Sequence, residues 1–354
     1  MKILFLSHTA DGGYFKVGSH HLARELARRG HNVAHLSTSH SWAHKIPGLA
    51  KRHMQSNTRE TRIDSEGVVH IVPQTIFPVQ LCSAKRRISH ILESVHFRNP
   101  DVLLVDQPLF ADLISLFGPR TIVIYRPTDQ YPSGLTNRRQ THILETADAI
   151  VATSEPVLRE LTTTGYANIP GIVIENGVEL SCFDVHNNGP RHGFVYVGAL
   201  DDRFDWTVIQ KIAHQIGEES IHLYGPLPDS KPKLPDNVYL HGPIPYSMLP
   251  TMLSKYKVGL LPLSDSILNA GRSPMKYYEY LASGLFVLAR DTPELRRRTA
   301  AGVYLYGGSE NIAEALLKIS ATVAPNVQGK KESAQFDWDR VCDRLVAFVE
   351  SVRK

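Results

Sequence analysis

The residues best suited to chemistry lie in one short segment, Asn269 to Lys276 (NAGRSPMK), which opens a predicted helix. The segment combines small residues, a helix start and two cations, Arg272 and Lys276. Backbone N–H groups at a helix start can bind one set of phosphate oxygens while Lys or Arg neutralises another. Glu279, one turn further on, could accept two hydrogen bonds from a ribose diol. The segment is therefore a candidate site for a nucleoside diphosphate.

Three other loops in the second half of the chain follow predicted strands, at Gly198, at Gly225 and at 242–245. Ligands of parallel α/β sheets bind beyond the carboxyl ends of the strands, where such loops meet. A glycine after a strand is usually a feature of the turn alone. Arg272 and Lys276 could be solvated surface charges, and Glu279 could be an ordinary exposed helix residue. Their coincidence at one predicted sheet edge favours a binding site.

Two other polar groups have both a functional and a structural interpretation. Asp201, Asp202 and Asp205 could be metal ligands, but they could also cap the following helix or contact sugar hydroxyls. His20 and His21 begin the first predicted helix and could contact a donor or an acceptor. The alternative for these histidines is a surface position at a helix start.

The elements that position these residues alternate between strand and helix in both halves of the chain. The predicted strands are 2–7, 31–37, 68–73, 101–106, 121–126, 149–154, 193–200, 220–226, 237–243, 258–263 and 285–290. The predicted helices are 19–30, 84–98, 135–146, 155–164, 206–216, 277–282 and 312–319. Most strands are continuously apolar, as in parallel sheets covered on both faces. The pattern predicts an α/β fold of two Rossmann-like, doubly wound domains that face a cleft.

A run rich in Asn, Gly and Pro (VHNNGPRHG) separates the two halves. We expect an N-terminal domain over 1–184 and a C-terminal domain over 185–335. The last segment, 336–354, has apolar residues at helical spacing and predicts an amphipathic helix that must cover another part of the protein.

Composition excludes several classes of protein. The 354 residues are 42% hydrophobic and 21% charged, with a formal net charge of +4, which excludes fibrous and disordered chains and does not indicate nucleic-acid binding. The three cysteines are far apart, which favours a reducing compartment and disfavours a disulfide scaffold or a zinc site. The apolar run Ile3–Leu6 is too short for a signal peptide, and no segment is apolar enough to span a membrane. We therefore expect a cytoplasmic protein.

Residues 42–98 contain nine Lys or Arg against four acidic residues. Trp42 lies among basic side chains that include Lys51 and Arg52, so this stretch could contact anionic lipid. A solvated basic face is the alternative.

Several segments resemble glycosyltransferases of the GT-B superfamily. The stretch 273–290 (SPMKYYEYLASGLFVLAR) resembles their nucleotide-sugar motif, and 237–263, 173–183 and 336–345 resemble other parts of the same superfamily. The resemblance covers most of the chain and implies that the last helix crosses back to the N-terminal domain. Three short motifs resemble the xanthan-type glucuronosyltransferase and teichuronic-acid glycosyltransferase families; they are MK at 275–276, GPLP at 225–228 and YRPTDQ at 125–130.

The resemblance implies a role for each residue of the donor site. Lys276, with the backbone of Ser273 and Met275, would hold the diphosphate, and Glu279 would bind the ribose. Two side chains of the third loop would border the base. The residues expected to bind the nucleotide-sugar are Gly198, Gly225, Ile244, Tyr246, Arg272, Ser273, Met275, Lys276 and Glu279.

On the acceptor side, the resemblance implies that Asp129 is the general base, with Gly13 and His20 near the acceptor. A carboxylate between two domains could deprotonate an acceptor hydroxyl. The alternative for Asp129 is an Asx turn or a helix N-cap. Many retaining GT-B enzymes have a second glutamate where this chain has Gly271, so its absence favours an inverting reaction.

The sequence thus predicts a glycosyltransferase that transfers a sugar, with uronic acids the first candidates, from a UDP-sugar to a hydroxyl of a glycan or lipid-linked glycan. No cofactor and no metal ion are expected. A GT-B-fold sugar-nucleotide epimerase and a non-catalytic nucleotide-sugar binding protein are the alternatives.

Overall fold

A computed structural model of the chain describes residues 1–11, 16–41, 60–75, 82–185, 187, 189–227, 233–298, 300–307 and 311–353. The chain forms two compact units. Unit 1 comprises Met1–Glu175 and Val341–Lys354, and unit 2 comprises Asn176–Arg340.

Unit 1 is built on a parallel sheet. Its strands are β1 (Lys2–Leu6), β2 (Asn32–Leu36), β3 (His40–Ser41), β4 (Thr61–Ile63), β5 (Val69–Ile71), β6 (Gln74–Thr75), β7 (Val102–Val105), β8 (Ile122–Tyr125), β9 (Ala149–Ala152) and β10 (Gly171–Val173). Within the described ranges, eight of them form one sheet in the order β10-β9-β8-β7-β1-β2-β5-β4, and β3 pairs with β6. All pairs are parallel except β4 with β5, and β1 aligns Ile3 with Val33 and with Val102.

Helices cover this sheet because its strands carry apolar side chains on both faces. They are α1 (Gly18–Arg28), α2 (Cys82–Ser94), α3 (Gly134–Leu144) and α4 (Glu155–Leu161), with a 3₁₀ helix at Pro108–Leu116 and a π-helical turn at Thr162–Tyr166. β1, β7 and β9 are almost wholly buried, as their apolar sequences predict. The hydrophobic pattern therefore predicted the positions of the main strands and helices of unit 1.

Unit 2 contains a second parallel sheet. Its strands are β11 (Phe194–Val197), β12 (Ile221–Tyr224), β13 (Val238–His241), β14 (Val258–Leu261), β15 (Phe286–Arg290) and β16 (Val303–Tyr306), in the order β13-β12-β11-β14-β15-β16. Its helices are α5 (Leu180–Phe183), α6 (Trp206–Gln215), α7 (Leu249–Leu253), α8 (Ile267–Ala270), α9 (Met275–Ala282), α10 (Pro293–Arg296), α11 (Ile312–Ser320) and α12 (Val327–Ser333). Short 3₁₀ helices lie at Tyr246–Met248 and Ala334–Phe336. One hydrophobic core packs α9 against the sheet, and a second packs α6 and α11.

The last helix, α13 (Trp338–Val352), begins in unit 2 and belongs to unit 1 from Val341 onward. In unit 1, the Arg344 guanidinium donates to the Glu175 carboxylate at 2.9 Å and to the Val173 carbonyl oxygen at 2.6 Å. Leu345 on the same helix is buried. The prediction that the terminal helix returns to the N-terminal domain is confirmed.

The two parallel sheets confirm the predicted α/β fold class. The predicted strands do not include β3, β4, β6, β10 and β16, which are two to four residues long. The predicted membrane-contact residues Trp42, Lys51 and Arg52 lie outside the described residues. Within the described part of the chain, no helix is long and apolar enough to cross a membrane.

The loops after β11 and β12 approach each other so closely that Gly225 is required. A Cβ atom at Gly225 would lie 1.9 Å from the Gly198 carbonyl oxygen, whereas a Cβ atom at Gly242 would meet no atom within 4 Å. We predict that Gly225→Ala lowers the free energy of unfolding by at least about 2 kcal/mol, since the backbone must move. Gly242→Ala should change it by less than about 1 kcal/mol.

Differential scanning calorimetry of the two variants checks this prediction. Equal melting temperatures for Gly225→Ala and Gly242→Ala would contradict it.

Candidate functional site

The carboxyl edge of the unit 2 sheet brings the predicted donor residues to one end of the unit. Gly198 follows β11 and Gly225 follows β12, and the Gly198 N–H donates to the Tyr224 carbonyl oxygen at 2.9 Å. Ile244 and Tyr246 follow β13 and pack, half-buried, against the hydrophobic core that includes α9. The two glycines are therefore adjacent, and the third loop shares a core with α9.

A tyrosine anchors α9 against the strand that leads into the Gly198 loop. The hydroxyl oxygen of buried Tyr280 accepts a hydrogen bond from the Val197 N–H at 3.0 Å. Gly259 in β14 makes room for the ring, because a Cβ atom there would lie 2.3 Å from it. The sequence predicts α9 from Tyr277; the structure begins it at Met275, after Pro274 in the N-cap position.

Lys276, in the first turn of α9, forms an ion pair with a buried carboxylate. Lys276 Nζ lies 2.6 Å from Glu279 Oε2, one turn later on the same helix. The Glu279 side chain has 0% exposure, so its alternative interpretation as an ordinary exposed helix residue is wrong. The other carboxylate oxygen, Oε1, is buried and accepts no hydrogen bond from the described residues. A buried acceptor of this kind is costly unless a ligand supplies a donor.

The second cation, Arg272, lies near the loop after β11. Its charge acts on the carboxylate of Asp201 and on the hydroxyl of Tyr196, which donates to the Ala199 carbonyl oxygen at 2.8 Å. Burial by itself would raise the pKa of Asp201, but the adjacent Arg203 guanidinium, with Nη2 at 2.7 Å, holds it below its usual value. The loop before α9 therefore lies close to the loop after β11, and the charges of Arg272 and Asp201 interact.

Asp205 has the capping role offered above as an alternative to metal binding. Its carboxylate accepts a hydrogen bond from the Val208 N–H at 3.0 Å and caps α6. The described residues include no group of three or more His, Cys, Asp or Glu side chains arranged to hold a metal ion.

Ser273, at the turn before α9, is held by two residues to which sequence analysis assigned no role. The Ser273 hydroxyl oxygen accepts hydrogen bonds from the Asn176 N–H at 3.3 Å and from Arg298 Nη2 at 3.1 Å. Asn176 Nδ2 also donates to the Ser273 carbonyl oxygen at 2.7 Å. Asn176 lies within the segment 173–183 that resembles the superfamily, but Arg298 is one of three consecutive arginines and carries no distinguishing signal.

Asp129 lies in unit 1, on the loop after β8. Its carboxylate accepts a hydrogen bond from the Thr128 hydroxyl at 3.2 Å, and Thr128 in turn accepts one from Gln107 Nε2 at 2.9 Å. Tyr131 donates to Gln107 Oε1 at 2.6 Å, and burial together with the negative charge of Asp129 raises the pKa of this phenol. The proposed N-cap alternative is wrong, because the next helix, α3, has Ser133 as its N-cap.

Asp129 is half-buried. The loop that carries it follows the end of β8, where Arg126 forms a buried ion pair with Asp106 at the end of β7. Asp106 Oδ2 is 3.1 Å from Arg126 Nη1. Removal of either partner would leave a buried charge uncompensated and would destabilise the fold.

His20, expected near the acceptor, is fully buried and hydrogen-bonded within unit 1. Its Nε2 lies 3.0 Å from the Thr9 carbonyl oxygen, and its Nδ1 accepts from the Val17 N–H at 3.2 Å. The interpretation of His20 and His21 as surface residues is wrong. The other predicted acceptor-side residue, Gly13, lies outside the described residues.

His20 belongs to a cluster of three buried histidines at the carboxyl end of the sheet. Its ring centroid is 4.5 Å from that of His35 and 6.3 Å from that of His70. His35 Nε2 is 3.0 Å from the Ser19 hydroxyl, and His70 Nε2 is 2.9 Å from Asp64 Oδ2. Burial lowers the pKa of all three histidines, although the Asp64 carboxylate opposes this for His70.

Comparison with known proteins relates the chain to glycosyltransferases. Residues 17–181 match the model of the family described as Glycosyltransferase Family 4. Over an alignment of 183 positions, the chain is 25% identical to TuaH of Bacillus subtilis, which is assigned as a teichuronic acid biosynthesis glycosyltransferase. The alignment spans 46% of this chain and 45% of that protein, so the chain covers about half the length of this relative.

Two solved structures share the fold over almost the whole chain. The sucrose-phosphate synthase of Thermosynechococcus elongatus superposes with a TM-score of 0.74, at 16% identity over 99% of each chain. HepE of Anabaena, solved with UDP-glucose, has a TM-score of 0.71, at 14% identity over 99% of this chain and 100% of its own. The chain therefore has the GT-B fold of two Rossmann-like units. The predicted resemblance to GT-B glycosyltransferases is confirmed.

The histidine cluster predicts a pH dependence of stability in unit 1. Because burial places the folded-state pKa values below the unfolded value of about 6.5, the unfolded chain binds more protons below that pH. The contribution is complete above about pH 6.5, and stability falls as the pH decreases below it. We expect His35→Gln to weaken this fall between pH 7 and 5.5, by up to about 1.4 kcal/mol per pH unit.

Urea unfolding at several pH values measures the slope, with His90→Gln, a change at an exposed residue, as the control. Identical slopes for His35→Gln and the wild type would contradict the prediction.

Proposed function

We propose that the protein is a glycosyltransferase that binds a nucleoside-diphosphate sugar in unit 2 and transfers the sugar to a hydroxyl group. The observation that carries the proposal is the ion pair of Lys276 with the fully buried Glu279, in the first turn of α9. The pair lies at the carboxyl edge of a parallel sheet, the usual ligand edge of such folds. The family match and the relatives support the same class of enzyme.

The diphosphate binds at the start of α9. The first N–H groups of a helix have no acceptor within the helix, and its dipole favours an anion there. Lys276 and Arg272 supply positive charge on the same turn, and Ser273 and Met275 contribute backbone groups. The Gly198 and Gly225 loops follow neighbouring strands at the same sheet edge, where ligands of parallel α/β sheets bind.

Glu279 binds the ribose. Lys276 neutralises one carboxylate oxygen, and the buried Oε1 accepts a hydrogen bond from a sugar hydroxyl in place of the donor that the described residues lack. Ile244 and Tyr246 border the base with apolar surface. UDP is the preferred nucleotide, because the HepE structure was solved with UDP-glucose. Uronic acids are the first sugars to test, in line with the short motifs at 275–276, 225–228 and 125–130.

Asp129 is the general base. It accepts the proton of an acceptor hydroxyl while the hydroxyl oxygen bonds to the anomeric carbon, and the bond from that carbon to the diphosphate oxygen breaks. Lys276, Arg272 and the α9 dipole stabilise the departing diphosphate. Gly271 supplies no second carboxylate, which favours inversion. The reaction needs no metal ion, and the acceptor is a glycan or a lipid-linked glycan.

The donor site is tested by calorimetric titration with UDP in the presence of EDTA. We expect UDP to bind more tightly than ADP, GDP, CDP or dTDP. Lys276→Ala should weaken UDP binding by about 10- to 100-fold, because it removes a charge-assisted contact worth about 1.5–3 kcal/mol. Lys255→Ala, a change at an exposed lysine of the same unit, is the matched control and should bind as the wild type does.

2′-Deoxy-UDP tests the role of Glu279 in this experiment. The wild type should bind it more weakly than UDP, and Glu279→Gln should discriminate less between the two. If no nucleoside diphosphate binds the wild type, the proposed function is wrong.

The base is tested by Asp129→Asn. This variant should bind UDP normally but transfer sugar at least about 100-fold more slowly, the usual scale of general-base catalysis. Asp112→Asn, a change of the same kind elsewhere in unit 1, should leave the rate within about twofold. Retention of full transfer activity by Asp129→Asn would exclude Asp129 as the base, and donor turnover without an acceptor would point to an epimerase.

A further inference from the structure

Arg298 connects α10 to the turn that precedes α9. Its guanidinium forms an ion pair with Glu294 and donates to the Ser273 hydroxyl oxygen at 3.1 Å. The guanidinium carbon also lies 5.1 Å from the centre of the Tyr278 ring, within range of a cation–π interaction. The side chains of Arg298 and Glu294 are only 7% and 5% exposed. Arg298 therefore reaches Ser273 and α9 from within unit 2.

Asn176 holds the same turn from a distant part of the chain. Its backbone N–H and its side-chain amide bond the hydroxyl and carbonyl oxygens of Ser273 at 3.3 and 2.7 Å. Ser273 thus has both its side chain and its backbone oxygen held, one residue before the N-cap of α9. A turn fixed in this way cannot rotate without breaking these hydrogen bonds and the one from Arg298.

We propose that Arg298 and Asn176 are positioning residues that fix the Ser273 turn, so that Lys276 and the first N–H groups of α9 point at the diphosphate. This inference depends on the donor site of the proposed function. Neither residue needs to touch the ligand, since both act through Ser273. Small displacements of such groups have large effects on binding and rate.

The charge of Arg298 supports a positioning role and not simple packing. Burying an arginine and a glutamate is expensive, and apolar side chains of similar volume would stabilise a core equally well. The guanidinium offers directed hydrogen bonds that an apolar group lacks. Arg298 is already bonded to Glu294 and to Ser273, so it acts on the site through the Ser273 turn.

The run of three arginines provides a matched control for the experiment. Arg296 pairs with Asp291 on the surface, and Arg297 is exposed, whereas Arg298 is the one directed at Ser273. Arg298→Ala, Arg298→Lys, Asn176→Ala and Arg297→Ala are compared by UDP titration, by donor KM and kcat, and by the melting temperature without ligand.

We expect Arg298→Ala to lower the affinity for UDP and raise the donor KM by about tenfold, with kcat within about threefold, because no contact to the reacting atoms is lost. Asn176→Ala should act in the same direction, Arg298→Lys should recover part of the affinity, and Arg297→Ala should match the wild type. In the Ser273→Ala background, Arg298→Ala should cause a smaller loss, because the two groups act as one unit.

Three results would overturn the inference in distinguishable ways. If the wild type binds UDP and Arg298→Ala binds it equally well, Arg298 has no positioning role. If Arg298→Ala does not fold, Arg298→Lys and Asn176→Ala decide, and wild-type affinity in both rejects the inference. If the wild type itself binds no nucleoside diphosphate, the proposed donor site fails and the inference fails with it.

Discussion

The ion pair between Lys276 and Glu279 is the interaction on which the proposed donor site depends. A carboxylate without solvent contact is stable only where other groups replace the water it has lost. Lys276 does this for one oxygen, while the other accepts nothing from the described residues. Because both side chains belong to the first turns of α9, the position of this helix sets the geometry of cation and acceptor together.

The surroundings of α9 all restrict its movement. Tyr280 joins it to the end of β11, in space that Gly259 leaves open, and the Ser273 turn is bonded by Asn176 and Arg298. The site is therefore built on a rigid helix and short turns, the arrangement that holds functional groups most accurately. In unit 1, by contrast, the ends of β7 and β8 carry the buried ion pair Asp106–Arg126. This unit also contains three buried histidines, His20, His35 and His70.

Much of the fold could be predicted because parallel strands are buried on both faces. The strands at 2–7, 101–106 and 258–263 were recognisable as continuous apolar runs, and each is present with slightly shorter bounds. The burial of Glu279 was not predictable in this way. Every residue of α9 from Tyr277 to Ala282 is buried, so this helix does not have one apolar face and one polar face. Without that contrast, the sequence gives no sign that the Glu279 carboxylate is buried.

Residue types, their order and the periodicity of apolar side chains were enough to predict the fold class and to indicate the segment for which we propose a donor site. Only the tertiary structure decided which polar groups meet. Asn176 and Ser273 are 97 residues apart in the chain, and one arginine of three identical neighbours reaches the same hydroxyl. His20 is buried and its side chain accepts a hydrogen bond from the Val17 N–H at the start of its own helix, which its position in the sequence did not predict. Burial and long-range hydrogen bonds depend on packing between elements that are distant in the chain, and this packing cannot be predicted from local sequence.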